Sequence, residues 1–259
     1  MNTTQTVLAV LLLGACLQVD AQKLPGVQQK SVYAPSDIKI DGKNTEWNDK
    51  FQAYNKVTQL YYTLSNDNTS LYLTIYTPDI FTIEKVFAGG ISFSVKEKSS
   101  KSDPIVITYP TVGRSMGTDM IRNIKEIDDN KYDKDFVNSK FSVASLGIFL
   151  KKPGSLIDTI LSFNNNLGIR VAGLFNEHKA LTCELKVPLA ALGQNINIDA
   201  IAYEVRLPGA KVPAGAGNRQ LVAGINLGGG SAPPPPSDAA LLEMFSPTYF
   251  SGTYIMARK

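Results

Sequence analysis

The residues of this chain that could do chemistry are few, and acids crowd only one stretch, Asp128-Asp129-Asn130-Lys131-Tyr132-Asp133-Lys134-Asp135. A calcium loop of the EF-hand type needs glycine at its sixth position and a bidentate glutamate at its twelfth. Asp133 and Ser139 stand there, and Lys131 and Lys134 dilute the charge, so the stretch reads as a solvated loop. The single histidine, His178, sits in the polar turn Asn176-Glu177-His178-Lys179, which leaves no multi-histidine metal site. A nucleophile elbow, a P-loop and an H-E-x-x-H zinc helix are all missing. Carboxylate pairs for glycoside hydrolysis are defined by separation in space and are not legible in a sequence. The residues point to a protein that is not an enzyme and needs no metal or other cofactor.

The address is clearer. Val7 to Leu17 is an uncharged apolar run, shorter than the roughly 20 residues a membrane-crossing helix needs, with the length of a signal-peptide core. Val19 and Ala21 fit the −3 and −1 positions for cleavage before Gln22, although the leader lacks Lys and Arg. A second exit is Leu13-Gly14-Ala15-Cys16, which has the form of a lipobox with Cys16 as the lipidated residue. The expectation is export with release to the periplasm or exterior; outer-membrane anchoring through Cys16 is the alternative. Either exit leaves Cys183 as the sole cysteine of the body, so stability must come from a core and not from a disulfide. No further apolar segment reaches membrane length. The net charge of +3, about +4 once Asp20 leaves with the leader, is too small to argue for nucleic acid.

These side chains must be held by strands, because the dominant hydrophobic period is two. Leu60, Tyr62 and Leu64 alternate with polar or aromatic neighbours; after the turn Ser65 to Ser70, so do Leu71, Leu73 and Ile75. Antiparallel pairing then sets Leu64 by Leu71, Tyr62 by Leu73 and Leu60 by Ile75. Ile91-Phe93-Val95, Ile105-Ile107-Tyr109 and Leu181-Cys183-Leu185-Val187 repeat the pattern, which makes Cys183 a small core residue and turns Glu184 outward. More strands are expected at 141–150, 156–163, 168–175, 198–207 and 248–257. One helix is expected over Thr118 to Ile127, with Thr118 as N-cap, and shorter helical turns at Leu189 to Leu192 and Asp238 to Phe245. Residues 110–140 read as a polar, irregular excursion, and 208–237 as a Gly/Pro-rich loop. The expected organisation is a signal peptide at 1–21, a linker at 22–35 and a single all-β domain at 36–258: an antiparallel β-sandwich, jelly-roll-like, with one or two short helices.

Two stretches add a resemblance. Ile38-Lys39-Ile40-Asp41-Gly42-Lys43-Asn44-Thr45-Glu46-Trp47 resembles the opening of family 9 carbohydrate-binding modules and their DOMON-like relatives. Leu181 to Gly193, with Glu184 and Pro188 in an E-x-x-x-P-L-x-x-L pattern, is similar to their late strand. Both motifs are mainly architectural and together span most of the chain after the leader. The resemblance implies a sandwich fold and recognition of a polysaccharide or cell-surface glycan. It also implies structural calcium, for which loop residues Asp41, Asp67 and Asp79 are the candidates, and haem in some relatives, for which His178, Met116 and Met120 would be the ligands.

Those modules grip sugar between aromatic rings, and this chain has a single tryptophan, Trp47, whose better reading is a core plug with one partner for its indole N–H. Tyr61, Tyr72 and Tyr76 lie opposite the leucine face of the first hairpin and are the candidate ligand-binding residues. The expected function is a non-catalytic exported binding protein. The alternative is a structural or interaction protein of the bacterial envelope that keeps the fold without a sugar site and works through a protein partner.

Overall fold

A computed structural model of the chain describes residues 23–98, 100–154, 158–192, 199–210 and 238–259. Their strands in chain order are β1 (Ala53–Asn55), β2 (Leu60–Asn66), β3 (Ser70–Thr77), β4 (Ile91–Glu97), β5 (Ile105–Tyr109) and β6 (Ile148–Lys151). There follow β7 (Thr159–Leu161), β8 (Arg170–Phe175), β9 (Leu181–Pro188), β10 (Ala200–Leu207) and β11 (Thr248–Ile255). They form two antiparallel sheets, one ordered β1-β2-β3-β9-β8 and the other β11-β10-β4-β5-β6-β7. The all-β sandwich expected from the period-two pattern is the observed architecture. The expected leader with Cys16, and most of the expected Gly/Pro-rich loop, lie outside the described residues.

The sheets close on a shared core. Leu60, Tyr62, Leu64, Leu73, Ile75, Cys183 and Val187 face Phe93, Ile107, Ile201, Tyr203, Val205 and Phe250, all buried. Tyr62 stacks on Phe250 with ring centroids 4.5 Å apart, and its hydroxyl meets that of Tyr203 at 3.2 Å. Burying a phenol without a partner costs free energy; the two tyrosines satisfy each other across the sheets. Cys183 sits in this core as a free thiol, and burial pushes its pKa up.

The first hairpin is shifted by two residues from the expected register: Leu64 pairs with Leu73 and Tyr62 with Ile75. The turn is tighter than the polar run suggests, because Asp67 closes it. Its Oδ1 accepts from the Thr69 and Ser70 amides at 2.6 and 2.8 Å, so β2 and β3 extend to Asn66 and Ser70. A slip of two keeps every side chain on its face, so the inward set is as expected.

Helices depart most from the sequence reading, with four among the described residues: α1 (Ile80–Gly89), α2 (Arg114–Glu126), α3 (Lys134–Ala144) and α4 (Asp238–Phe245). α2 starts four residues before Thr118 and is capped by Gly113, correcting the expected N-cap. The expected irregular excursion thus holds α2 and the start of α3. α3 also occupies the first part of the expected 141–150 strand, because Asp133 caps it through the Asp135 and Phe136 amides while Val137, Phe141 and Ala144 bury one face at spacings of four and three.

Residues 23–35 are part of the domain, correcting the expected linker over that stretch. The Gln28 side chain accepts from the Leu64 amide at 2.8 Å and donates to the Leu64 carbonyl at 2.7 Å. The Asn66 amide donates to the Val32 carbonyl and the Ala34 amide to Asn66. The segment thus supplies hydrogen-bond partners that backbone groups of β2 require.

Candidate functional site

The outward face of the five-stranded sheet is ordered in rows by its register. The middle row runs Thr63, Thr74, Glu184, Ala172. One flanking row runs Ser65, Tyr72, Lys186, Arg170. The other runs Tyr54, Tyr61, Tyr76, Thr182, Leu174.

The N-terminal segment crosses the middle row and seals it. Glu184 points away from the sandwich core, yet it is only 1% exposed, which corrects the solvent-facing position expected from alternation. One carboxylate oxygen accepts from the Asp41 and Gly42 amides at 3.0 and 2.9 Å. The other receives the Thr74 hydroxyl at 3.5 Å, and the Thr74 oxygen accepts the Trp47 indole N–H at 3.1 Å. Gly42 has φ +82°, and a Cβ there would lie 2.8 Å from Leu174 Cγ, so only glycine lets the turn come this close. Burial raises the pKa of Glu184 to about 7, against the two amide bonds, with Glu46 and Asp41 adding to the rise. The motif residues Asp41, Gly42, Trp47 and Glu184 therefore converge on one anchor, while Pro188 stands apart at the end of β9, opposite Ser70. With its carboxylate inaccessible, this cluster is a clasp and not a reaction centre.

Tyr72 belongs to the sealed part as well. It is 4% exposed and donates to Asp67 Oδ2 at 2.7 Å, while the Lys186 ammonium lies 5.7 Å from its ring. Burial, with Asp67 adding, raises its pKa to about 12. Burial would also raise Asp67, but bonds from Tyr72, Thr69 and Ser70 outweigh it and hold that carboxyl below its ordinary value. No ligand ring can reach Tyr72, which leaves two of the three expected tyrosines.

Tyr61 and Tyr76 stand opposite each other in the ladder with centroids 5.9 Å apart. Phe51 stacks on Tyr76 at 5.5 Å and 18° and touches Tyr61 at 5.9 Å. Tyr54 continues the row 4.4 Å from Tyr61, its hydroxyl donating to the Gln59 side chain. Burial, then Tyr61 and Asp79, raises the Tyr54 pKa. Leu24, Asp49, Lys50, Phe51, Gln52, Tyr61 and Tyr76 line an open cleft of about 530 Å³. Asn48, Asp49 and Gln59, three of the four non-glycine residues with positive φ among the described residues, border this row. Asn and Asp enter this left-handed region more readily than other side chains, and Asn48 does so as the cap that ends the Thr45–Trp47 turn.

Sequence reasoning missed Phe51, Tyr54, Asp49, Lys50 and Leu24. β1 is three residues long, too short to show alternation, and the cue was the polar turn Asn55 to Gln59 between Tyr54 and Leu60.

The candidate calcium ligands do not converge. Asp41 accepts from the Lys43 amide, Asp67 closes its hairpin and Asp79 caps α1 through the Thr82 amide at 2.8 Å. Among the described residues no group of three His, Cys, Asp or Glu side chains is placed to hold a metal. His178 is exposed at a hairpin tip and Met120 is buried in the core, on α2. Among the described residues no helix is long and apolar enough to cross a membrane. Comparisons of the chain with protein-family models, curated proteins and solved structures return no match.

Proposed function

We propose that this is a non-catalytic exported protein that binds a polysaccharide or cell-surface glycan at the cleft floored by Tyr61 and Tyr76. The observation that carries the reading is the continuous aromatic row Tyr54–Tyr61–Tyr76 backed by Phe51, left open beside the sealed residues Thr74, Glu184 and Tyr72. A sugar presents an apolar C–H face to such rings, and each stacking contact contributes about 0.5–1.5 kcal/mol beyond area burial, by analogy with aromatic pairs. Gln52 and Asp49 supply polar groups for hydroxyls. The export signal and the resemblance of the Asp41–Trp47 and Leu181–Gly193 stretches to family 9 carbohydrate-binding modules support the same reading.

The test is retention on polysaccharide affinity gels and a glycan array, with and without calcium, for the wild type and the Tyr61→Ala/Tyr76→Ala double variant. Retention lost in a variant that keeps the wild-type circular dichroism supports the cleft. A blank array for the wild type removes the glycan reading. The second reading, an envelope protein acting through a protein partner, draws on the exposed apolar residues Phe136, Val143, Leu146 and Ile160. A blank array together with a stable envelope partner in a pull-down would select it.

A further inference from the structure

The edges of the cleft carry positive charge that stacking alone does not use. Lys50 lines the cleft itself. Lys23 and Lys56 meet beyond Tyr54, at the other end of the aromatic row. The backbone brings them together: the Tyr54 amide donates to the Pro25 carbonyl at 3.0 Å, and Asn55 Nδ2 donates to the Gly26 carbonyl at 3.0 Å. The incoming segment thus runs beside β1 and delivers Lys23 to the β1–β2 turn that holds Lys56. The two side chains are within hydrogen-bonding reach, and Lys23 depresses the pKa of Lys56. Among the described residues none of the three lysines has a carboxylate within 4.0 Å; the six ion pairs present involve other cations.

Two acids are near. Asp79 is held at the N-terminus of α1 by the Thr82 amide and hydroxyl. Asp49 lines the cleft as the sequence neighbour of Lys50. The Lys23–Lys56 end therefore has uncompensated positive charge in contact with solvent, beside rings that suit a sugar face.

We infer that the ligand of this cleft is a carboxylated polysaccharide, a uronic-acid polymer whose rings stack along Tyr61 and Tyr76 while its carboxylates meet Lys50 and the Lys23–Lys56 pair. This rests on the glycan-binding reading and narrows it. A uronic acid carries its carboxylate at the edge of the sugar ring, so a ring lying flat on tyrosine sends the charge sideways, where the lysines stand. The row crosses three strands, about 10 Å at the usual strand spacing, enough to run past one sugar unit toward the next carboxylate. Lysines supply compact, flexible point charges that can each meet one ring-edge carboxylate.

The experiment measures affinity of the purified protein for polygalacturonate and alginate, for their carboxyl-reduced neutral twins, and for dextran sulfate. Variants are Lys50→Gln, the Lys23→Gln/Lys56→Gln pair and Tyr61→Ala. The expected result is a preference for the acidic polymers over their twins that shrinks with added salt. Each lysine removed should weaken acidic-polymer binding about two- to fivefold, the range of exposed ion pairs, and leave the twins unaffected, while Tyr61→Ala weakens both. Equal binding of acid and twin with no effect of the lysines overturns the inference and leaves the glycan reading standing. Dextran sulfate binding as well as the uronates, or uronate binding untouched by Tyr61→Ala, shows adsorption by charge alone and overturns it too. Binding to none of these polymers overturns the inference by itself; the glycan reading is judged separately by the array.

Discussion

The Glu184 clasp should make the stability of this protein fall as the pH rises from mildly acidic to neutral. The folded pKa is about 7 against an ordinary value of 4.5. The folded state then holds a proton that the unfolded chain has released across the interval between the two. Stability from this group is fully present below pH 4.5 and is lost as pH rises through about 7. A displacement of about 2.5 units at about 1.4 kcal/mol each gives about 3 kcal/mol between the two limits. At 1% exposure solvent screening reduces this little.

Glu184→Gln isolates the effect. A glutamine oxygen can accept from the Asp41 and Gly42 amides, and its NH₂ can donate to Thr74, so the bonds survive while the titration disappears. Urea unfolding of both proteins from pH 4.5 to 8.5 gives a difference curve in which all other titrating groups cancel. We expect the wild type to lose about 3 kcal/mol relative to Glu184→Gln over this range, nearly all of it between pH 4.5 and about 7, with the curve flat above that. A flat difference curve would mean that the two amides balance burial, and one in which the wild type gains with pH that they outweigh it; in either case the carboxylate is charged in the clasp at neutral pH. Glu184→Ala separates charge from bonding: it strands the Asp41 and Gly42 amides at a cost of about 1–3 kcal/mol for each buried donor, and should be destabilised even at pH 4.5.

Other outcomes follow from the same contacts. Gly42→Ala should cost more than about 2 kcal/mol in urea unfolding, since its φ of +82° and its 2.8 Å approach to Leu174 both oppose a Cβ; a loss under about 0.5 kcal/mol would show that the turn can shift. Asp79→Ala should cost about 1 kcal/mol through loss of the α1 cap, read as a lower urea midpoint at unchanged slope. Cys183 should resist a thiol reagent at pH 8 in the folded protein and react at once in denaturant, because it is buried with a raised pKa; rapid labelling of native protein would place the thiol outside the core.

Facing was legible in the sequence because alternation survives the errors made in reading it. The first hairpin slipped by two, yet Leu60, Tyr62, Leu64, Leu71, Leu73 and Ile75 all point inward as their spacing implies. α1 was missed although Pro78-Asp79 marks its start and Ile83, Val86 and Phe87 its buried stripe; its β-branched and aromatic residues carry no strong helix propensity. α3 was hidden by the acids around it, one of which, Asp133, turns out to be its cap.

The candidate site was half legible for a different reason: alternation says which face a residue takes and nothing about what lies over that face. Tyr61, Tyr72, Tyr76 and Glu184 share the outward surface, but their environments diverge because residues 23–52 cross it unevenly. The crossing chain needs partners for its own backbone, and it finds them where the sheet offers an acceptor. Glu184 takes the Asp41 and Gly42 amides and Thr74 takes the Trp47 indole, which pins the cover over the middle row. Tyr72 is buried beside it and held to the hairpin turn by Asp67. At Tyr61 and Tyr76 the segment contributes only Phe51 at ring-contact distance, so the cover ends there and the cleft begins. The clasp thus sets the boundary of the cleft. A variant that loosens it, such as Glu184→Ala, should weaken ligand retention at Tyr61 without touching the ligand, and retention equal to wild type in that variant would separate the two.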